Sequence, residues 1–329
     1  EGREPDGAVP ESEYEAAREE FGASFTTALV FAWFSQGALA ADYRVIPKPH
    51  YGSDGSKVFD IHGAPDSYVR GLTEDLGEFP FANFWGPQSG PPATRWIAEA
   101  TAKTLREREP NLTVTYLPLL DYPLQKHGPG TEQAREALST VDEHVGLIRD
   151  AAEETDTRIV VFSEYGLSPV SRPVHLNRRF REEGWLAVRS GPFGEQLDVP
   201  NSEVLAAADH QVAHVYVRDD DRITAVESLL EDTDGVGEVW GRTEKVEHGI
   251  DHPRAGELIA LAEPDAWFTY YFWFNDDRAP DYARTVDIHS KPGYDPVEMF
   301  VDPGIRFPKL EAGATLLRKK LGFRDRMEL

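Results

Sequence analysis

The sequence predicts an α/β fold with parallel strands, and three apolar runs carry that expectation. "SFTTALVFAW" (24–33) is β-rich and nearly uncharged, as a buried strand would be. "LTVTYLPLL" (112–120) is a second such run and "RIVVFS" (158–163) a third. Between the last two, apolar residues fall at Ala134, Ala137, Leu138, Val141, Val145, Ile148 and Ala152. That spacing is the stripe of an amphipathic helix over 132–154. Strand, helix, strand across 112–163 implies a parallel pair joined by a right-handed crossover.

The remaining elements follow in order. The opening "EGREPDGAVPESEYEAAREE" is not a signal peptide and reads as a linker leading into a helix. Residues 41–65 carry Pro, Gly and Asp punctuation and read as irregular. "RWIAEATAKTLRERE" (95–109) is helical, and 121–131 is a loop after the second strand. Residues 173–189 read as helix then strand, and 221–233 as helix. "DHQVAHVYV" (209–217) alternates, which puts His210 and His214 on one face of a strand. They resemble a metal pair, but the surrounding "QVAHVYV" is core-like and favours packed, hydrogen-bonded histidines. Residues 251–274 give a turn, a strand and an aromatic segment from Trp267 to Phe274. Core and rim packing explains that segment better than a base-stacking platform. Residues 275–304 are long and punctuated by Pro and Gly, and long ordered loops are often functional. His289, beside Asp287 and Lys291, is the best candidate ligand there, against a purely structural role. The tail after residue 313 is helix-like.

At 329 residues the chain is one large domain or two ordinary ones, and 40% hydrophobic residues suffice for a sizeable core. Its net charge is −24, with 58 acidic residues against 25 Arg and only 9 Lys. A chain this acidic is a poor partner for a nucleic acid polymer. The acidity has two readings: an ordinary acidic protein, or a halophile-like adaptation to high internal salt. Low Lys favours the second. With no cysteine, disulfides, thiolate zinc sites and cysteine nucleophiles are excluded. No apolar run reaches the length of a membrane span, so neither a membrane partner nor a location outside the cytoplasm is expected. Gly-rich phosphate loops, GxSxG and HExxH motifs are all missing.

The chemistry gathers at strand ends. Asp121 follows the strand at 112–120 directly, and Glu164 follows the one at 158–163. Ligands of open α/β sheets bind beyond the carboxyl ends of strands. Neighbouring strands lie about 5 Å apart, so both acids are expected on one rim. Two rim carboxylates can bind one divalent cation, or one can serve as a base. The alternative is that each caps a helix or loop.

"YLPLLDYPLQKHGPG", "VVFSEYGLSPVSRPVHLNRRFREEGWLAVR", "DHQVAHVYV" and "DHPRAGELIALAEPDAWFTYYFW" together resemble the type I phosphodiesterase/nucleotide pyrophosphatase branch of the alkaline phosphatase superfamily. The likeness runs over roughly 20–305. It implies an alkaline-phosphatase-like, doubly wound, largely parallel sheet flanked by helices, in a single domain over 1–329 that is incomplete at both ends. It further implies metal-dependent hydrolysis of phosphate esters or anhydrides on a small phosphorylated substrate. In that family a Thr or Ser attacks phosphorus while two divalent metals, usually zinc, hold the attacking and leaving oxygens.

The match at the ligands is partial. Asp121, Gly128 and Pro129 fit the family's pattern, but its His position holds Gln125, with His127 two places off. Asp-His-Gly becomes Glu164, Tyr165 and Gly166. The reading places Asp121 and Glu164 as metal ligands at the family's positions, adds His289 from the long loop as a third, and gives Gln125, Tyr165 and His127 to substrate contacts. Oxygen-rich ligands suit Mn²⁺, Mg²⁺ or Ca²⁺ better than Zn²⁺. The family's first metal-binding Asp and its nucleophile are expected upstream of these residues, and a His-Gly ligand downstream. A non-catalytic relative that binds a metal or a phosphorylated ligand is the alternative to an enzyme.

Overall fold

The computed structural model describes residues 10–33, 35, 38, 40–51, 57–84, 88–192, 194–280, 283, 306, 307, 309, 310, 313, 314 and 317. Together they make a mixed α/β structure with parallel and antiparallel strand pairs. They divide into two compact units, residues 1–166 and 167–329.

In the first unit, α1 (Pro10–Phe21) precedes β1 (Thr27–Val30), which is buried along its length. β1 pairs in parallel with β2 (Tyr43–Tyr51), which turns back antiparallel into β3 (Lys57–Ala64). After α2 (Asp66–Leu76) and α3 (Pro91–Arg108), β4 (Leu112–Thr115) joins the other edge of β1 in parallel. The strand order is thus β3-β2-β1-β4. Tyr68 and Leu72 of α2 and Trp96, Ile97 and Ala100 of α3 form one core with Val30, Phe31 and Val45. Two more helices follow, α4 (Asp121–His127) and α5 (Glu132–Glu154). α5 packs on α3 through small side chains: Ala102 and Leu105 meet Ala151 and Ala152. Thr131 caps α5, its Oγ1 accepting from the Ala134 N–H at 3.3 Å.

Four expectations change here. Tyr43–Tyr51 and Lys57–Ala64 form an antiparallel strand pair rather than an irregular stretch. Only Tyr43–Val45 of β2 pairs with β1, so Pro47 and Pro49 lie where one side of β2 has no ladder to break. The stretch after β4 is the helix α4, not a loop, and Asp121 is its first residue. On α5 the buried residues are Ala134, Ala137, His144, Ala151 and Ala152, while Leu138 is 56% exposed. The buried face therefore runs through these residues, with Ile148 packed against the contact to α3, and leaves Leu138 outside it. Residues 158–163 pair with no strand among the described residues, and Val160, Val161 and Phe162 are 76–77% exposed. Strand composition yields a strand only where a ladder partner satisfies the backbone. The parallel pair expected across α5 is therefore not formed.

In the second unit, β5 (Arg172–Val174) leads into α6 (Leu176–Glu182), and β6 (Val188–Gly191) and β7 (Gly194–Leu197) form a hairpin. β8 (Val204–Asp209), β9 (Val212–Val217), α7 (Ile223–Glu231), β10 (Val236–Trp240), α8 (Arg242–Glu247) and β11 (Leu258–Ala262) follow. The antiparallel order is β10-β11-β9-β8, and β12 (Ala266–Phe268) pairs in parallel with β5. One cluster joins Leu176, Phe180, Val215, Val226, Leu230, Leu258 and Trp273. The edge strand β8 is finished by a buried side chain. The Asn177 amide donates to the Ala206 carbonyl at 2.9 Å and accepts from its N–H at 2.8 Å, as a neighbouring strand would. The buried Glu195 carboxylate is held by Arg181 at 2.6 Å and Arg278 at 3.2 Å.

His210 sits in the turn between β8 and β9 at φ +54°, so it does not share a strand with His214. His214 Nδ1 accepts from the Gly256 N–H at 3.2 Å, the hydrogen-bonded role. Trp267, Phe268, Phe272 and Trp273 are buried, in keeping with core packing.

Candidate functional site

The site is built at the carboxyl ends of the parallel strands β1 and β4. The Tyr116 N–H donates to the Val30 carbonyl at 3.2 Å, so the chain leaves both strands side by side. Beyond β1, Phe31 is almost fully buried at φ +58°. A bulky side chain in this left-handed region is strained by about 1–3 kcal/mol and stays there only when its surroundings dictate it. They do so here: the Phe31 ring packs on Phe79, Phe84 and Trp96 with centroids 4.6, 5.6 and 5.9 Å away. Trp33 follows, 44% exposed, its ring 6.1 Å from that of Tyr116. Pro118–Leu120 then makes a 3₁₀ turn into Asp121.

Asp121 is half-buried at the first position of α4, and Gln125 lies one turn on, on the same helix face. Gln125 Oε1 is buried and has no hydrogen-bond partner. His127 is exposed at the end of α4. α4 stops at Gly128, which takes φ +82° to close the helix. From the far end of α5 the chain delivers Tyr165, whose hydroxyl donates to Asp121 Oδ1 at 2.7 Å. Partial burial of that hydroxyl, then the bond to Asp121 and the carboxylate's charge, hold the phenol well above its ordinary pKa. It is therefore protonated at neutral pH and donates to the carboxylate. Ser163 donates to the Tyr165 carbonyl at 2.6 Å and steadies this turn.

Of the residues singled out in the sequence, Tyr165 bonds Asp121, and Gln125 lies one turn along α4 from Asp121. Glu164 is exposed beside Tyr165, and it is the tyrosine that reaches Asp121. His289 lies outside the described residues. Among the described residues no three His, Cys, Asp or Glu side chains gather as a metal cluster. The Asp121 carboxylate, the Tyr165 phenol bonded to it and the Gln125 amide oxygen one turn on supply oxygen rather than the nitrogen-rich tetrahedral set of zinc. They suit a hard cation better. Trp33 and Tyr116 were not singled out in the sequence. Their signal was weak: both lie inside the apolar runs 24–33 and 112–120, and only the ends of β1 at Val30 and β4 at Thr115 put them beyond the strands.

The family described as type I phosphodiesterase / nucleotide pyrophosphatase matches residues 14–295. The chain belongs to that family. A solved phosphonoacetate hydrolase from Sinorhizobium meliloti 1021, in complex with phosphonoacetate, superposes with a TM-score of 0.51 at 17% identity. The superposition covers 83% of this chain and 62% of that one, so the chain spans less than two thirds of the relative's length. At this identity the likeness is one of fold. Human ectonucleotide pyrophosphatase/phosphodiesterase 5 superposes with a TM-score of 0.44 at 13% identity, over 79% of this chain and 55% of that one. No curated protein matches the sequence. No described helix is long and apolar enough to cross a membrane.

Proposed function

We propose that this member of the family serves in a phosphoester hydrolase acting on small phosphorylated substrates, as phosphodiesterase or pyrophosphatase. The observation that carries the reading is Asp121: a carboxylate at the carboxyl rim of parallel strands, inside a family match over 14–295. We read the parent sheet as doubly wound and alkaline-phosphatase-like, in one domain.

Asp121, with Gln125 Oε1 and the neighbouring Glu164, is the oxygen set that would hold a divalent cation, with His289 as a further candidate. Such a cation, when bound, neutralises charge on phosphoryl oxygens. Tyr165 keeps its proton, donates it in a hydrogen bond to Asp121 Oδ1 and fixes the carboxylate in one orientation. The exposed Trp33, with Tyr116 beside it, offers an apolar wall to the non-reacting part of a substrate. The nucleophile is not assigned among these residues. Hydrolysis of bis(p-nitrophenyl) phosphate by the full polypeptide, with Mn²⁺, Mg²⁺ or Zn²⁺ supplied, tests the reading. Asp121→Ala is expected to lower kcat/KM about a hundredfold or more. Unchanged turnover in that variant would end it.

A further inference from the structure

Two side chains near Asp121 offer oxygen where zinc would take nitrogen: Tyr165, bonded to it, and Gln125, one helical turn along α4. Gln125 brings a buried carbonyl oxygen that no protein group satisfies. Tyr165 brings a hydroxyl that already donates to Asp121 Oδ1 at 2.7 Å. A hydroxyl proton bonded to a carboxylate oxygen sits where a cation would sit, so the two compete for that oxygen. An unsatisfied buried carbonyl costs free energy unless something positive or a donor faces it. The two observations point the same way: one oxygen of Asp121 is withheld, and an oxygen donor is left open one helical turn away.

We propose that Tyr165 is a built-in competitor for metal at Asp121, and that with Gln125 in place of a nitrogen donor it turns the rim from zinc toward one hard divalent cation of the Mn²⁺ or Mg²⁺ class. This rests on reading the rim as the metal-binding edge of a phosphoester hydrolase. Tyr165 then acts as a positioning residue: it holds Asp121 to a single available oxygen and limits the rim to one ion. Placing nitrogen donors at both positions creates a set that zinc prefers over manganese.

Affinities of the full polypeptide for Zn²⁺ and Mn²⁺, measured by competition with a chromophoric chelator and by manganese electron paramagnetic resonance, test this. The double variant Gln125→His with Tyr165→His is expected to raise the ratio of zinc to manganese affinity about a hundredfold or more. Tyr165→Phe removes the competing hydroxyl and is expected to tighten manganese about tenfold. Circular dichroism of each variant shows that the fold is kept, and a gain of affinity is not a result that misfolding produces. A wild-type ratio equal to that of the double variant overturns the proposal while the rim remains a metal edge. Manganese affinity unchanged by Tyr165→Phe overturns it as well. Absence of binding by every variant overturns it through its premise, since the rim then holds no metal at all.

Discussion

Residues 1–166 and 167–329 bury their apolar surface in different ways. The second unit closes on one cluster beneath an antiparallel sheet, and a single amide, Asn177, completes its edge strand. Among the described residues the first unit spreads its core over three clusters, builds its sheet on the parallel pairs of β1 with β2 and β4, and leaves Val160–Phe162 exposed, whereas the second has only the short parallel pair β5–β12. Antiparallel ladders close locally through turns, whereas parallel strands need partners far away in sequence. The parallel pair β1–β4 brings Trp33 and Tyr116 to one rim, while the strand-like residues 158–163 of the same unit pair with no described strand.

The contrast can be broken most directly at the second unit's core. Trp273 is 2% exposed and central to that cluster, so Trp273→Ala is expected to cost about 3–5 kcal/mol in urea unfolding. A loss below about 1 kcal/mol would show that this core is not the unit's main support.

Acid provides the next effect. The ring of His175 stacks on Tyr271 with centroids 5.2 Å apart, and its Nδ1 bonds Thr269 Oγ1 at 2.8 Å. Burial first, then the Arg178 charge, lower its pKa to about 4, with Asp276 opposing. The unfolded chain, with His near pKa 6.5, therefore binds more protons than the folded one between these values. This contribution is fully present above about pH 6.5 and is lost, up to about 3 kcal/mol, as the pH falls toward 4. Denaturation of wild type and His175→Asn across this range checks it: the variant's stability should fall less steeply, and parallel curves would refute the assignment.

Asn177→Ala strips the edge of β8 of its substitute partner, leaving the Ala206 N–H and carbonyl unpaired. A loss of about 1–3 kcal/mol is expected, with faster amide exchange at Ala206. The smallest effect sharpens the first unit's side of the contrast. Val161→Ser should change stability by less than about 0.5 kcal/mol, because Val161 is 76% exposed. A clear destabilisation would mean that the segment is covered in solution and that the two units are more alike than their cores suggest.

Much of the local structure was legible in the residues. The capped, periodic run from Thr131 to Glu154 is a helix wherever it packs, and the uncharged "TALV" of β1 is buried on both faces. Asp121 was legible as a rim acid because an apolar run ends on it. Its partner was not, since the phenol that bonds it lies 44 residues away across α5. Residues 43–64 were misread because prolines that break a strand paired on both sides are harmless where one side is open, and only the sheet shows which side that is.

The amino-acid sequence by itself determined much of the helix-and-strand alphabet and the exclusion of thiol chemistry, since each depends on residue type and short-range spacing alone. The tertiary structure alone decided which apolar runs become strands, which face of α5 is buried, and that Tyr165 is the side chain meeting Asp121. Backbone pairing and side-chain contact join residues far apart along the chain, and no local pattern carries that information.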